Sequence, residues 1–329
     1  MNELKIRLDK MNGLSDRIDA FVLFNKDMQS SPNFIYFTDS EDIAGFLFHD
    51  FSKPRIFTNA RDYPVAKKSW IKDAEVAGKD TLEKLVKGKK IGIDESTMHV
   101  DIYKKLIAAK AKLIDIGKHL ENARAQKTAY EIICIKEACK ISGRIFSKVE
   151  NGWHGMSEME FKGLVEYEMH KHGVQPSFPT IVAAGRNIAV PHHKPTKQKI
   201  KLPLLVDFGV RYKNYVSDVT RTKGSRWENK IEKILKELYP RVKVNIEAKE
   251  LDSFVRKSLG VHKKLFITSL GHGIGIAVHE RPWISKNSSD VLKEGMTFTI
   301  EPGVYKANGI RIENDFLMTE DGLKNLTEF

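Results

Sequence analysis

The stretch LLVDFGVRYKNYVSDVTRT, residues 204–222, decides how the second half of this chain folds. Apolar and polar residues alternate on both sides of Lys213–Asn214, which is the pattern of a β-hairpin. Asparagine tolerates positive φ, so the turn centres there and Tyr212 pairs with Tyr215. That register sets Gly209 opposite Asp218. Asp207 is two residues from Gly209 and points to the same face. The two aspartates become diagonal cross-strand neighbours within reach of a shared ion, and Gly209 is expected to leave the space where that ion sits. Two carboxylates buried so close are costly without cations.

The same pattern extends along the chain. In TFTIEPGVY (297–305), Thr297, Thr299 and Glu301 share one strand face while Phe298 and Ile300 take the other. In GIRIEND (309–315), Arg311 and Glu313 share a face while Ile310 and Ile312 point to the core. His272 lies in SLGHGIGIAVHE (269–280), where Gly271, Gly273 and Gly275 are expected to let the backbone crowd a metal site. This GxGxG run is not a dinucleotide fingerprint, since its spacing differs and no strand–turn–helix surrounds it. Any one of the acids reads as an exposed strand residue. Four acids set between apolar strand residues do not, because that is the wrong place for unpaired charge. Asp207, Asp218, Glu301 and Glu313 with one imidazole suit two divalent ions, whose charge four carboxylates offset. Two such ions can share a water and make it a nucleophile near neutral pH, which points to hydrolysis.

The bulk composition fits such an enzyme. The 329 residues suggest two domains. Hydrophobic residues are 41% and charged residues 30%, an ordinary soluble profile with no run long enough to span a bilayer. The start, MNELKIRLDKMNGL, lacks the apolar core of a secretory signal, so a cytoplasmic location is expected. The net charge of +12 comes from lysines scattered along the chain with little aromatic interleaving, which favours a solvated basic surface over nucleic-acid binding. Cys134 and Cys139 are five apart in a helical pattern and would not share a face, so they read as small buried side chains and exclude a disulfide framework.

The first third reads as an α/β domain with a mixed sheet and no cluster of metal-type ligands. Strands are expected at 19–25, 33–39, 44–50, 54–60 and 89–95, and helices at 3–12, 62–71, 80–88 and 99–112. The pattern breaks near 115–124, and the domains are set at 1–118 and 119–329. Long amphipathic helices are expected at about 126–150 and 157–173, the second opened by a capping box from Ser157 to Glu160. Further helices are expected near 228–238 and 244–258.

The order and spacing of D-x-G, S-D-x-T-R-T, G-H-G-I-G-x-x-V-H-E, E-P-G-x-Y and R-I-E resemble the pita-bread metallopeptidases, most of all the Xaa-Pro dipeptidases (prolidases) and aminopeptidase P. The catalytic match covers about 124–329, and the first third resembles the creatinase-type N-terminal domain. The resemblance implies an α/β creatinase-like domain followed by an α+β pita-bread catalytic domain. It implies Asp207, Asp218, His272, Glu301 and Glu313 as metal ligands, with Asp218 and Glu313 bridging. His192, in GRNIAVPHHKP, and His279 match substrate-side histidines, and Arg311 matches an arginine beside the last ligand. Glu301 is the natural proton acceptor for the attacking water. Thr220 and Arg221 read as supports for the ligands or as plain strand residues. The resemblance further implies manganese or cobalt, with zinc or iron also compatible, a peptide substrate with proline second, and a homodimer. Cleavage of Xaa-Pro dipeptides leads, with Xaa-Pro aminopeptidase activity on longer peptides as the alternative. A non-enzymatic binding protein of this fold is a second alternative, but such relatives usually lack ligands that this chain keeps. One departure stands out: Thr268 occupies the place of a histidine common four residues before the ligand histidine.

Overall fold

The structure is a computed structural model that describes residues 3–26 and 30–329. The chain forms two compact units, Met1–Arg124 and Ala125–Phe329.

The first unit is built on a six-stranded sheet of β1 (Ala20–Asn25), β2 (Gly45–His49), β3 (Arg55–Thr58), β4 (Ala74–Val76), β5 (Lys90–Ile93) and β6 (Lys112–Asp115), in the order β4-β3-β2-β1-β5-β6. Only β2 runs antiparallel to its neighbours, so the sheet is mixed. Phe46, Phe48 and Phe57 on its central strands pack with Leu82, Val86 and Leu106. The segment expected as a strand at 33–39 is instead the helix Pro32–Thr38. Ser31 caps it by accepting from the Phe34 N–H, and Pro32 brings a preset φ to its first turn. Every residue from Asn33 to Thr38 is buried, so the helix shows no polar face in the sequence. The helix expected at 62–71 is a single turn, Tyr63–Ala66, and β4 follows it. The helix expected at 99–112 stops at Ala108. Lys110 then takes a positive φ, and β6 begins at Lys112. The segment where the pattern breaks is itself helical, Gly117–Ala125.

The second unit opens with helices Ala129–Val149 and Glu158–Lys171, each started by a capping box, Thr128 with Glu131 and Ser157 with Glu160. Their apolar sides (Ile141, Ile145, Phe161, Val165) pack on strand residues Val182, Leu204, Val206 and Phe208. Helices Glu228–Leu238 and Ala248–Leu259 cover a five-stranded sheet that includes Gly271–Gly273, Glu280–Ile284, Thr297–Ile300 and Asn314–Thr319. Helices over antiparallel strands give the α+β arrangement expected of a pita-bread domain. Among the described residues no helix is long and apolar enough to cross a membrane.

The hairpin has the expected register. Lys213 and Asn214 both take positive φ, at 47° and 67°, and Tyr212 faces Tyr215. Phe208 faces Val219 and Asp207 faces Thr220 in the same frame. The ribbon is interrupted at Gly209: Leu204–Phe208 pairs with Ile181–Ala184, whereas Val210–Tyr212 pairs with Gln175–Pro176. A Cβ at Gly209 would land on the Ser217 carbonyl and the Ser177 hydroxyl. This glycine therefore serves the close approach of two backbones, not an ion-sized gap.

Candidate metal centre

The hairpin brings Asp207 and Asp218 to one face, and the two later segments deliver their acids from strand ends. Glu301 directly follows Thr297–Ile300, where its N–H donates to the Leu270 carbonyl at 2.8 Å. Glu313 lies between Ile310–Arg311 and Asn314–Thr319, where its N–H donates to the Thr220 carbonyl at 3.1 Å. His272 sits in the short strand Gly271–Gly273, its N–H donating to Thr299 Oγ1 at 3.2 Å. Ligand atoms of Asp218, His272 and Glu313 lie within 4.8 Å of one another. His272 Nε2 is 3.3 Å from Glu301 Oε1 and 3.8 Å from Asp218 Oδ2. The His272 Nδ1 stands 3.2 Å from the Gly273 carbonyl, which favours a proton on Nδ1 and leaves Nε2 to face the acids.

All of these side chains line one cavity of about 970 Å³, together with His192, His279, Arg311 and Thr268. The His272 and His279 rings meet edge to face with centroids 4.2 Å apart. The glycines around His272 do not make room for ions. A Cβ at Gly271 would strike the Thr299 carbonyl, at Gly273 the Arg281 carbonyl, and at Gly275 the Glu280 carboxylate.

The electrostatics show a cluster short of positive charge. Burial, then the charges of Glu313 and Asp207, pushes the Asp218 carboxyl well above its usual range. Burial, then Glu301 and Asp207, does the same to Glu313. Asp207 is also raised by burial, although Arg311 opposes the shift. For Glu301, burial acts upward but the hydrogen bond and charge of His272 outweigh it and lower the carboxyl. His272 answers in kind: burial alone would lower it, and Glu301 raises it. Burial, then the neighbouring His272, pushes His279 down to about 4. Asp207 Oδ1 is buried without a hydrogen-bond partner. Four crowded oxygen donors, one correctly presented imidazole and an orphaned carboxylate oxygen fit hard divalent cations.

Protein groups brace this cluster from behind. Arg311 pairs with Asp207 and not directly with Glu313. It reaches Glu313 through Thr220, whose hydroxyl accepts from Arg311 Nε at 2.8 Å and donates to Glu313 Oε2 at 2.6 Å. Arg221 donates to the Glu313 carbonyl at 2.7 Å and to the Thr327 carbonyl at 2.7 Å. Thr268 donates to Tyr305 Oη at 3.4 Å, and the same oxygen accepts from Arg311 Nη1 at 3.3 Å. Thr268 is therefore joined to the Arg311–Asp207 pair.

Two further groups of the site do not stand out in the sequence. Asp315 accepts from the Asp218 N–H at 2.9 Å and contacts Cys139 Sγ at 3.3 Å, and burial pushes its carboxyl up to about 7. Its alternation with Glu313 in RIEND is a usable signal. Lys127 and Glu280 form a fully buried pair at 2.7 Å, Glu280 directly following His279. Nothing local in the sequence connects residues so far apart.

Comparison with known proteins agrees with this geometry. Residues 133–320 match metallopeptidase family M24, and residues 8–126 match the creatinase/prolidase N-terminal domain. The chain belongs to metallopeptidase family M24 and is a metal-dependent peptidase. It is 32% identical to the Xaa-Pro dipeptidase of Pyrococcus furiosus over 99% of this chain and 98% of that one. The prolidase structure from Pyrococcus horikoshii is similar with a TM-score of 0.88 at 30% identity, covering 100% of this chain and 98% of that chain. The X-Pro aminopeptidase structure from Thermotoga maritima is similar with a TM-score of 0.85 at 31% identity, covering 96% and 97%.

Proposed function

We propose that this chain is an Xaa-Pro dipeptidase that works with two divalent ions held by Asp207, Asp218, His272, Glu301 and Glu313. The observation that carries the reading is the convergence of these five side chains in one cavity, with Asp218 and Glu313 repelling each other in the absence of cations. When bound, the ions would activate water and polarise the scissile carbonyl. Glu301, which lines the cavity with its Oε1 3.3 Å from His272 Nε2, is the acid that takes the proton of the attacking water. His279, held neutral around pH 7, and His192 line the substrate side, supply hydrogen bonds to the developing oxyanion and relay to the leaving amine the proton taken up by Glu301. Arg311 opposes the upward push of burial on Asp207 and orients its carboxylate. Manganese or cobalt is the expected metal, the enzyme acts in the cytoplasm, and a homodimer is the expected assembly.

Xaa-Pro aminopeptidase activity on longer peptides is the second reading. It is favoured by the roomy cavity and by the comparable likeness to an X-Pro aminopeptidase structure. Assays on Leu-Pro and on a Leu-Pro-Pro-type peptide after manganese loading separate the two. Faster hydrolysis of Leu-Pro supports the dipeptidase, faster hydrolysis of the longer peptide the aminopeptidase. No hydrolysis of either overturns both readings.

A further inference from the structure

Glu158 is fully buried in the first turn of the helix Glu158–Lys171, yet its carboxylate faces a loop and not the solvent beyond the helix end. Oε1 accepts from the Ala184 N–H at 2.8 Å and from Asn187 Nδ2 at 2.8 Å. Oε2 accepts from the Thr196 N–H at 3.0 Å and from the Thr196 hydroxyl at 2.7 Å, and His193 Nε2 completes it at 2.9 Å. Five donors saturate a group with about four lone-pair sites. The donors bracket residues 184–196, and His192 lies between them. The residue before His192 is held as well, since the Pro191 carbonyl accepts from Arg311 Nη1 at 3.3 Å. His192 therefore enters the cavity from a segment fastened on one side to a buried carboxylate and on the other to the arginine that pairs with Asp207.

We infer that Glu158 and His193 are positioning residues for His192: the buried carboxylate gathers the loop, and His193 is the donor that fixes where the adjacent imidazole stands. Among the described residues His193 makes no hydrogen bond to the acids of the metal centre or to His279; it borders the same cavity, but its Nε2 is committed to Glu158. The inference rests on the reading of His192 as a substrate-side group.

The test is a double-variant cycle on the manganese-loaded full chain with Leu-Pro, using His192→Ala, His193→Leu and both together. Metal content and a crystal structure of His193→Leu are the readouts besides activity. The expected result is a fall in kcat of about tenfold for His193→Leu, with KM within about twofold, metal content unchanged and His192 displaced. His193→Gln, which keeps a donor in reach of Glu158, stays within about threefold of wild type. Added to His192→Ala, His193→Leu costs nothing further. A penalty that multiplies with that of His192→Ala, a His193→Leu enzyme within about twofold of wild type, or a His193→Gln enzyme as poor as His193→Leu overturns the inference. Full activity of His192→Ala instead removes the reading of His192, and the inference with it. Should His193→Leu not fold, Asn187→Ala takes its place in the cycle, and the same outcomes support or overturn the inference.

Discussion

Two kinds of buried carboxylate stand in the second unit, and they differ in who completes their charge balance. Glu158 is as hidden as any acid of the metal centre, yet five protein donors surround it. Burial pushes its carboxyl up, but the bonds from Asn187, His193, Thr196 and Ala184 outweigh burial and hold it below its usual range. Asp218 and Glu313 are equally buried but face other acids, and both are held well above their usual range. Protein donors complete the environment of Glu158, whereas Asp218 and Glu313 are surrounded by like charge. Burial alone does not mark a metal ligand; what sets the candidate acids apart is that several of them face one cavity and one another.

Exchanging charge for an isosteric amide should break the symmetry between the two kinds of acid. Asp218→Asn is expected to lower peptidase activity by roughly 10³-fold, and at the same time to raise the melting temperature of the metal-free protein by a few degrees, because it removes one member of a repelling group. Glu158→Gln should do the reverse to stability. It turns one acceptor into a donor facing donors, at a cost of about 1–3 kcal/mol in denaturant unfolding. Equal signs for the two substitutions in metal-free protein would undo the distinction.

A smaller effect follows from pH. Asp218 and Glu313 have folded pKa values above their unfolded ones, so their contribution to stability is fully present below the unfolded carboxylate range and is lost as pH rises through the folded values. Asp315, pushed up to about 7, acts in the same direction. Glu158 is lowered, so its contribution is present above the unfolded carboxylate range and lost as pH falls. Metal-free wild type should therefore lose stability relative to Asp218→Asn as pH rises above the unfolded carboxylate range, about 4. Saturating manganese should abolish that trend, since binding to the folded state alone stabilises it and repays the repulsion. Thermal melts across this range, with and without manganese, measure both; a stability difference independent of pH would contradict the assignment of the repelling pair.

The same contrast explains how much of the site is legible in the sequence. The Lys213–Asn214 turn fixes a register, and one register puts two aspartates on one face. The role of the glycines is not legible, because sequence shows where a side chain is missing, not which backbone fills the space: Ser217 beside Gly209 and Thr299 beside Gly271. Segment 33–39 imitates a strand because a helix buried all round has no polar stripe, and the Ser31–Pro32 start is the signal that separates the two. Glu158 cannot be singled out. An acid in the first turn of a helix is ordinary, and its partners Ala184 to Thr196 come together only in the fold.

We propose that the five side chains complete their charge balance with a pair of divalent ions. The most direct test is metal stoichiometry after manganese loading and removal of free metal, for wild type and for Glu313→Ala. The expected result is about two ions per wild-type chain and at most one in Glu313→Ala, with hydrolysis of Leu-Pro lost in parallel. A wild-type chain that binds no ion, or a Glu313→Ala chain that binds as many ions as wild type and hydrolyses normally, would contradict it.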